Sequence, residues 1–520
     1  MKDYSRTKNS ALNITTGIFS RIVMTVLSFV SRTVFIEVLG VSYLGINGLF
    51  SDVLSLLSLT QLGIGTAIVY RLYKPVAEHD NHRIRLLMKF YKQAYIIIGF
   101  TILTLGLLII PALPFFIKDY HKLEELGINA PIIFILFLVK SVSSYLFFAY
   151  RSVIIRVNQK NYILHVVDFF ISLATVIIQI VILLLTRDYM VFVGVGIGMV
   201  ILQNGINAFI AQRMYPNAFK KEKESITKEE RNGILKDCGA LFIFKVSNVV
   251  LKATDTLVLS YFIGLAIIGE YSNYFIFYST IKLFISNFYN GILSSMGNAY
   301  AKESVEKNYF LFETVNFLTI LLNGTACVGL AVCSDELINV WIGEKYVIPQ
   351  PFAILFGIEL LFNGLKINLG QVRIVSGAFR QVWYRPVIGI IINVLVSIIL
   401  CQFIGICGVL IGTITADILA NFTIDPKIIH KYSFNGFKPV SYYYKKNLTF
   451  LAILACVGVA DFLICRQLTT GYSLLDLLLH IIVCGISVPT TFLLLYRNTD
   501  VCKYLVAKVA ESKWMRKFKK

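Results

Sequence analysis

Residues 162–186 read YILHVVDFFISLATVIIQIVILLLT, and residues 189–212 read YMVFVGVGIGMVILQNGINAFIAQ. Each run is long enough to cross the hydrocarbon core of a bilayer, which takes an α-helix of ~20 mostly apolar residues. Similar runs fill nearly all of the 520-residue chain, in which 57% of the residues are hydrophobic and 15% are charged. Their unbroken length favours helices over the short alternating strands of a barrel. The sequence therefore predicts an all-α polytopic membrane protein.

The apolar runs place about fourteen transmembrane helices along the chain, grouped as two six-helix lobes and two extra C-terminal helices. The predicted spans are 11–38, 44–70, 90–112, 131–152, 162–186, 189–212, 238–263, 268–296, 311–333, 351–375, 383–403, 406–428, 448–465 and 474–496. The predicted domains are an N-lobe with helices 1–6 at 1–212, a cytoplasmic linker at 213–237, a C-lobe with helices 7–12 at 238–428, a loop with helices 13 and 14 at 429–496, and a basic cytoplasmic tail at 497–520.

The positions of lysine and arginine predict the orientation. If the N-terminus is cytoplasmic, the cytoplasmic segments carry 37 of the 49 basic residues and the outer loops carry five. Such a bias is expected because cytoplasmic loops retain lysine and arginine. We therefore expect a multi-pass protein of a bacterial cytoplasmic (inner) membrane with both termini in the cytoplasm. The net charge of +19 then follows from topology, so we expect membrane lipids and no nucleic acid as partners.

The two predicted lobes carry related turns. The turn after the first span reads GVSYLG from Gly40 to Gly45, and the turn after the seventh reads GLAIIG from Gly264 to Gly269, which is a shift of 224 residues. Close glycine pairs are common in membrane helices, so coincidence is the alternative explanation. Parallel repeats are a known transporter design with the substrate site between the lobes. We therefore interpret the turns as marks of an internal repeat.

Sequence motifs of catalysis are absent from the chain. It contains no Gly-Lys-Ser/Thr phosphate loop, no HExxH and no CxxC pair. His79 and His82 are three residues apart in a polar loop, where a solvated turn is favoured over a metal site. The nine cysteines are interpreted as small apolar residues. We expect no metal, no cofactor and no enzymatic activity.

Charged side chains within the predicted spans are the candidate functional residues. A lysine or arginine at the bilayer centre costs at least ~2.5–3.5 kcal/mol, so it usually faces water or a partner. Arginine and lysine bind phosphate oxygens well, which favours a phosphate or pyrophosphate ligand. The candidate substrate-binding residues are Arg21, Arg32, Lys140, Lys245, Lys252 and Lys366, and the candidate ion-coupling carboxylates are Asp52, Asp255, Glu359 and Asp417.

Two of the basic residues occupy equivalent positions in the proposed repeat. The shift of 224 residues places Arg21 on Lys245, and each begins a polar stripe at helical spacing. Alternatives remain for individual residues, because Arg21 could extend to the headgroups and Lys252 could pair with Asp255. For the set as a whole, we favour a cationic cavity.

Three stretches resemble Wzx-type polysaccharide flippases. They are RTVFIEVLGVSYLGINGLF at 32–50, LGIGTA at 62–67 and SDELINVWIGEK at 334–345. These flippases belong to the multidrug/oligosaccharidyl-lipid/polysaccharide exporter superfamily. The resemblance implies a V-shaped pair of lobes around a central cavity and the transfer of an undecaprenyl-pyrophosphate-linked oligosaccharide from the inner to the outer leaflet. It also implies that an ion gradient, of H⁺ or Na⁺, or the membrane potential supplies the energy.

The expected function is thus a lipid flippase in the biosynthesis of cell-surface polysaccharide, such as lipopolysaccharide O-antigen, capsule or exopolysaccharide. Two alternatives come from the same superfamily: a multidrug exporter, whose cavity should be dominated by carboxylates, and a lipid II flippase. A membrane polymerase or ligase acting on the same sugar lipids is the alternative from a different class. Such enzymes use a sizeable outer loop, whereas the longest one predicted here, at 113–130, is short.

Overall fold

The computed structural model describes residues 6–58, 64–118, 120–125, 128–349, 351–378 and 380–511. These residues form twenty α-helices, a few short 3₁₀ turns, one π-helical segment and no strand. The chain divides into two compact units, Met1–Gly269 and Glu270–Lys520.

The first unit contains eleven of the described helices and the start of a twelfth. They are α1 (Arg6–Leu39), α2 (Val41–Leu57), α3 (Ile64–Ala77), α4 (Asn81–Ile109), α5 (Leu113–Phe116), α6 (Tyr120–Glu125), α7 (Ala130–Leu146), α8 (Val153–Val157), α9 (Asn161–Thr186), α10 (Tyr189–Met214) and α11 (Lys228–Phe262). Within this unit α1 packs on α9, α7 packs on α4 and α10, and α11 packs on α2 and α3.

The helix α12 (Leu265–Lys302) begins in the first unit and continues into the second. The second unit then contains α13 (Val305–Ile342), α14 (Phe352–Ser376), α15 (Arg385–Ile404), α16 (Ile406–Ala416), the π-helical segment Asp417–Phe422, α17 (Thr423–Tyr432), α18 (Val440–Gln467), α19 (Ser473–Leu495) and α20 (Asp500–Glu511).

The predicted fold class is confirmed, because helix lies at every predicted span. Ten segments of the described chain are long and apolar enough to cross a membrane, and α7 with the bent continuation Ala149–Val157 forms an eleventh. The other three predicted spans correspond to α2 with α3, to α11 and to α12. The protein is therefore a multi-pass membrane protein.

Polar residues start several of these helices as their sequence positions would suggest. The side chains of Asp80, Asn129, Asp188, Thr227 and Ser304 each accept a hydrogen bond from a backbone N–H in the first turn of the following helix. Such caps satisfy amide groups that a helix start leaves without an intrahelical partner. They define the starts of α4, α7, α10, α11 and α13.

The two related turns pack against each other inside the first unit. A Cβ placed on Gly45 would lie 2.0 Å from the carbonyl oxygen of Leu265, and a Cβ placed on Gly269 would lie 2.3 Å from the carbonyl oxygen of Val41. The shift of 224 residues relates Val41 to Leu265 and Gly45 to Gly269, so the contact is reciprocal. Only glycine allows backbones to approach this closely.

The core of the second unit centres on α13, which packs on α14, α18 and α19. Phe317 of α13, Phe450 of α18 and Phe492 of α19 are buried in one cluster. A Cβ on Gly357 would lie 2.4 Å from the carbonyl oxygen of Cys327, so α14 also approaches α13 closely. The two extra C-terminal helices are therefore an integral part of this unit.

Candidate functional site

The basic stripe on α1 leaves its arginine exposed. Arg21 is exposed, and no carboxylate in the described part of the chain pairs with it. Thr25 donates a hydrogen bond to the backbone oxygen of Arg21 at 2.8 Å, and Ser28 donates to that of Thr25 at 2.7 Å. The hydroxyl groups thus bond their own helix, and the exposed Arg21 guanidinium remains available to an anion.

Three other predicted residues lie on α1 and α11. Arg32 is half-buried on α1. The backbone of Lys245 lies within α11, but its side chain is outside the described part of the structure. Asp255 is half-buried one turn after Lys252.

Lys252 and Asp52 join two helices of the first unit. The Nζ of Lys252 on α11 lies 3.0 Å from an oxygen of Asp52 on α2, and Thr256 donates to the other oxygen at 2.8 Å. Both candidates were predicted separately, and their pairing was not predicted. The Lys252 side chain is 53% exposed, so its ammonium group remains partly accessible while it neutralises the carboxylate.

Lys140 occupies the space that a glycine leaves between helices of the first unit. A Cβ on Gly196 of α10 would lie 3.5 Å from the Lys140 Nζ and 3.3 Å from the Gln179 Nε2. The Gln179 amide donates to the backbone oxygen of Phe192 at 3.0 Å. Lys140 is half-buried, and among the described residues no carboxylate lies within ion-pair distance of it. It is a cation well inside a membrane-spanning helix without an acidic partner there.

In the second unit Lys366 is held by a carboxylate. Its Nζ donates to both oxygens of Asp417, at 2.9 and 3.1 Å, and the Asn421 amide donates to one of them as well. The side chain of Asp417 is only 6% exposed. This carboxylate, predicted to couple an ion, therefore already contacts a cation of the protein itself.

A second charged group lies about two turns after Asp417 and was not predicted. Asp425 of α17 is fully buried between two arginines, with the Arg373 Nη1 at 3.2 Å and the Arg385 Nη1 at 2.8 Å. Arg385 also donates to Asn421. A pattern could have revealed this group, because Asp417, Asn421 and Asp425 are four residues apart and share a helix face.

Glu359 completes the polar face of α14. The Tyr278 hydroxyl of α12 donates to it at 2.9 Å, and the Lys282 ammonium lies 5.4 Å from the centre of the Tyr278 ring. Lys282 is thus another cation within a predicted span, and it was not predicted to be a functional residue. The second unit brings together Glu359, Lys366 and Asp417 with these newly identified neighbours.

These arrangements can bind anions and show no metal centre. Among the described residues, no group of three or more His, Cys, Asp or Glu side chains could hold a metal ion. Asp52 and Asp417 are each neutralised by a lysine. The available groups with an uncompensated charge in the described part include Arg21 and Lys140, and both are positive.

Comparison with solved structures places the fold among transporters. The chain resembles the lipid II flippase MurJ in an inward closed conformation, with a TM-score of 0.64, 15% identity and coverage of 93% of this chain and 99% of that chain. It also resembles a multidrug resistance MATE family transporter of the MOP superfamily in an inward-facing conformation, with a TM-score of 0.54, 13% identity and coverage of 80% and 96%. A MATE transporter of Vibrio cholerae gives a TM-score of 0.52, 12% identity and coverage of 82% and 97%.

No protein-family model matches the chain, and no curated protein matches its sequence. At these identities the structural likeness establishes the fold, which is that of MurJ and MATE transporters.

Proposed function

We propose that this protein is a flippase that moves a polyprenyl-pyrophosphate-linked oligosaccharide from the inner to the outer leaflet of a bacterial cytoplasmic membrane. The observation that carries the proposal is the half-buried Lys140, which lacks a described acidic partner although it lies in a membrane-spanning helix. A cation in that position is costly unless it meets water or an anion. A pyrophosphate supplies such an anion, and the polyprenyl tail can stay in the lipid.

The charge of the site supports a lipid flippase over a multidrug exporter. An exporter of organic cations needs carboxylates that can face its substrate. Asp52 and Asp417 instead contact Lys252 and Lys366 in the described structure. The share of the chain that aligns also favours a flippase, because MurJ covers 93% of it and the two MATE transporters cover 80% and 82%.

Each candidate residue has a role in this proposal. Arg21, Arg32, Lys140 and Lys245 contact the pyrophosphate, because guanidinium forks and ammonium groups bind its oxygens. Lys252 and Lys366 also bind the pyrophosphate when it displaces their carboxylate partners, Asp52 and Asp417. The carboxylates Asp52, Asp255, Glu359 and Asp417 are the candidates for coupling to H⁺ or Na⁺. No ATP, cofactor or catalytic step is required.

Depletion in the native host tests the proposal. We expect a lipid-linked oligosaccharide to accumulate in the inner leaflet, where a membrane-impermeant lectin applied from outside cannot reach it, while surface polysaccharide falls. Normal surface polysaccharide together with increased sensitivity to organic cations would show an exporter instead.

Replacing Lys140 links the function to the residue. We expect Lys140→Ala to lose most export at normal protein abundance and Lys140→Arg to retain part of it, because the charge survives. Lys302→Ala is the matched control, since Lys302 is an exposed lysine at the end of α12. Equal export by Lys140→Ala and Lys302→Ala would remove Lys140 from the substrate path.

A lipid II flippase is the second candidate, and the TM-score of 0.64 to MurJ favours it specifically. Lipid II also presents a pyrophosphate on a polyprenyl chain, so the same basic residues would serve. Rescue of a host depleted of its lipid II flippase by this chain would favour this candidate. If this chain does not rescue that host, and if depletion of this protein in its native host lowers surface polysaccharide, the oligosaccharide-lipid flippase is favoured instead.

A further inference from the structure

The turn between α17 and α18, together with the helix ends that flank it, has an unusual composition. Residues 427–446 read KIIHKYSFNGFKPVSYYYKK, with five lysines, six aromatic residues and no aspartate or glutamate. The charge pattern of the whole chain predicts that this turn is cytoplasmic. Basic residues in a cytoplasmic turn are already explained by the orientation of the chain. A specific binding site requires, in addition, a cavity that these residues line.

That geometry is an open cavity of about 400 Å³ within the turn. It is lined by Lys427, His430, Lys431, Lys438, Pro439 and Val440, among others. The volume exceeds the ~30 Å³ share of one water molecule by about an order of magnitude, so it accommodates a phosphate-sized group.

Backbone hydrogen bonds and one buried ring hold the turn in shape. Asn435 and Gly436 have φ values of 49° and 72°, and the Gly436 N–H donates to the His430 carbonyl oxygen at 2.8 Å. Phe434 is 1% exposed and anchors the turn in the core of the second unit. The chain therefore reverses within a few residues and brings the lysines of α17 to the same cavity as Lys438.

The charge around the cavity is largely uncompensated. Lys438 and Lys446 share the carboxylate of Glu313, at 3.5 and 2.9 Å. Lys427 and Lys431 are exposed, and no carboxylate of the described residues pairs with either one. Two of these four lysines therefore have no carboxylate partner among the described residues, which leaves an excess of positive charge where the cavity opens.

Exposed aromatic side chains lie beside these lysines. Tyr432, Phe437 and Tyr442 are 48%, 43% and 40% exposed. The Lys438 ammonium lies 4.4 Å from the centre of the Tyr442 ring, and that of Lys431 lies 5.3 Å from the centre of the Tyr432 ring. Exposed aromatic rings beside lysines are typical of the membrane–water interface.

We propose that this cavity binds the phosphate of an anionic lipid headgroup in the cytoplasmic leaflet. That leaflet carries the anionic lipids, and a basic pocket at its surface attracts their headgroups. The aromatic rings contact the glycerol and upper acyl region, and the lysines contact the phosphate. The site is independent of the proposed flippase activity and needs no translocation.

The test uses purified full-length protein in nanodiscs that contain phosphatidylcholine with a small fraction of phosphatidylglycerol. Native mass spectrometry measures how much phosphatidylglycerol remains bound, and a parallel titration uses inorganic phosphate alone. The test variant is K427Q/K431Q/K438Q. The variant K427Q/K431Q leaves the Lys438–Glu313 contact intact and covers the case in which the triple variant folds poorly.

We expect the wild type to retain phosphatidylglycerol over phosphatidylcholine and K427Q/K431Q to bind it roughly 25-fold more weakly, since each lysine near the surface contributes roughly fivefold. The control K220Q/K221Q/K228Q removes three exposed lysines of the linker and should bind as the wild type does. Equal losses in control and test variants would overturn the proposal, because the effect would then be general charge. Lysine-dependent binding of inorganic phosphate without enrichment of phosphatidylglycerol would overturn the lipid as the source.

Discussion

The carboxylate of Asp425 offers the sharpest test of the polar interior of the second unit. Asp425→Asn keeps the shape of the side chain and removes its negative charge. Arg373 and Arg385, whose side chains are 10% and 8% exposed, would then remain buried without their shared carboxylate. Removing one partner of a buried ion pair typically costs ~3–5 kcal/mol, because a charge stays behind in a poorly solvating environment.

Asp52→Asn is the matched control, because it makes the same chemical change at a pair whose cation is exposed. The Lys252 side chain is 53% exposed and can be solvated when its partner is lost. The stability should therefore fall less than in Asp425→Asn, because the cation that is left without its partner is not buried. The ratio between the two variants is thus predicted from exposure alone.

Unfolding of the purified variants by titration with SDS, followed by tryptophan fluorescence, measures both free energies. A third variant, Asp425→Asn combined with Arg385→Met, should regain part of the loss, because one stranded guanidinium is removed. If Asp425→Asn lies within ~1 kcal/mol of the wild type, or if both single variants lose the same stability, the buried arginine pair does not depend on Asp425 as argued.

Three further predictions concern substrate, topology and pH. Arg21→Ala should abolish export at normal protein abundance, whereas Arg21→Lys should keep part of it, because the charge persists without the bidentate fork. Surface polysaccharide normalised to protein level measures export, and equal amounts from the wild type and both variants would contradict the prediction. A single cysteine at Lys345 should react with an impermeant reagent added from outside and one at Lys223 should not, whereas the reverse pattern would invert the orientation. A hydrogen bond from Arg85 lowers the pKa of Glu222, so its stabilisation of the linker is present at neutral pH and is lost as the pH falls through that lowered pKa. Hydrogen exchange at the Lys223 amide, corrected for the intrinsic rate, should therefore increase in that acidic range. Protection of this amide that is unchanged in acid would refute the prediction.

The sequence predicted the helices well because membrane insertion makes them long, apolar and countable. It also identified the two related turns, since glycine spacing is a local signal. The pairing of Lys252 with Asp52 could not be predicted, because it depends on which helices pack together. Asp425 and Arg385 were missed for the same reason, because their burial as a pair depends on how α14, α15 and α17 pack together.

The reciprocal packing of the Gly40–Gly45 and Gly264–Gly269 turns has a consequence for ancestry. Equivalent residues of the two turns make equivalent contacts: Gly45 packs against Leu265, and Gly269 packs against Val41. Contacts of this kind are made by identical subunits about a two-fold axis. A homodimer of half-length chains would make this contact, and it is the one expected if the predicted internal repeat arose by gene duplication and fusion.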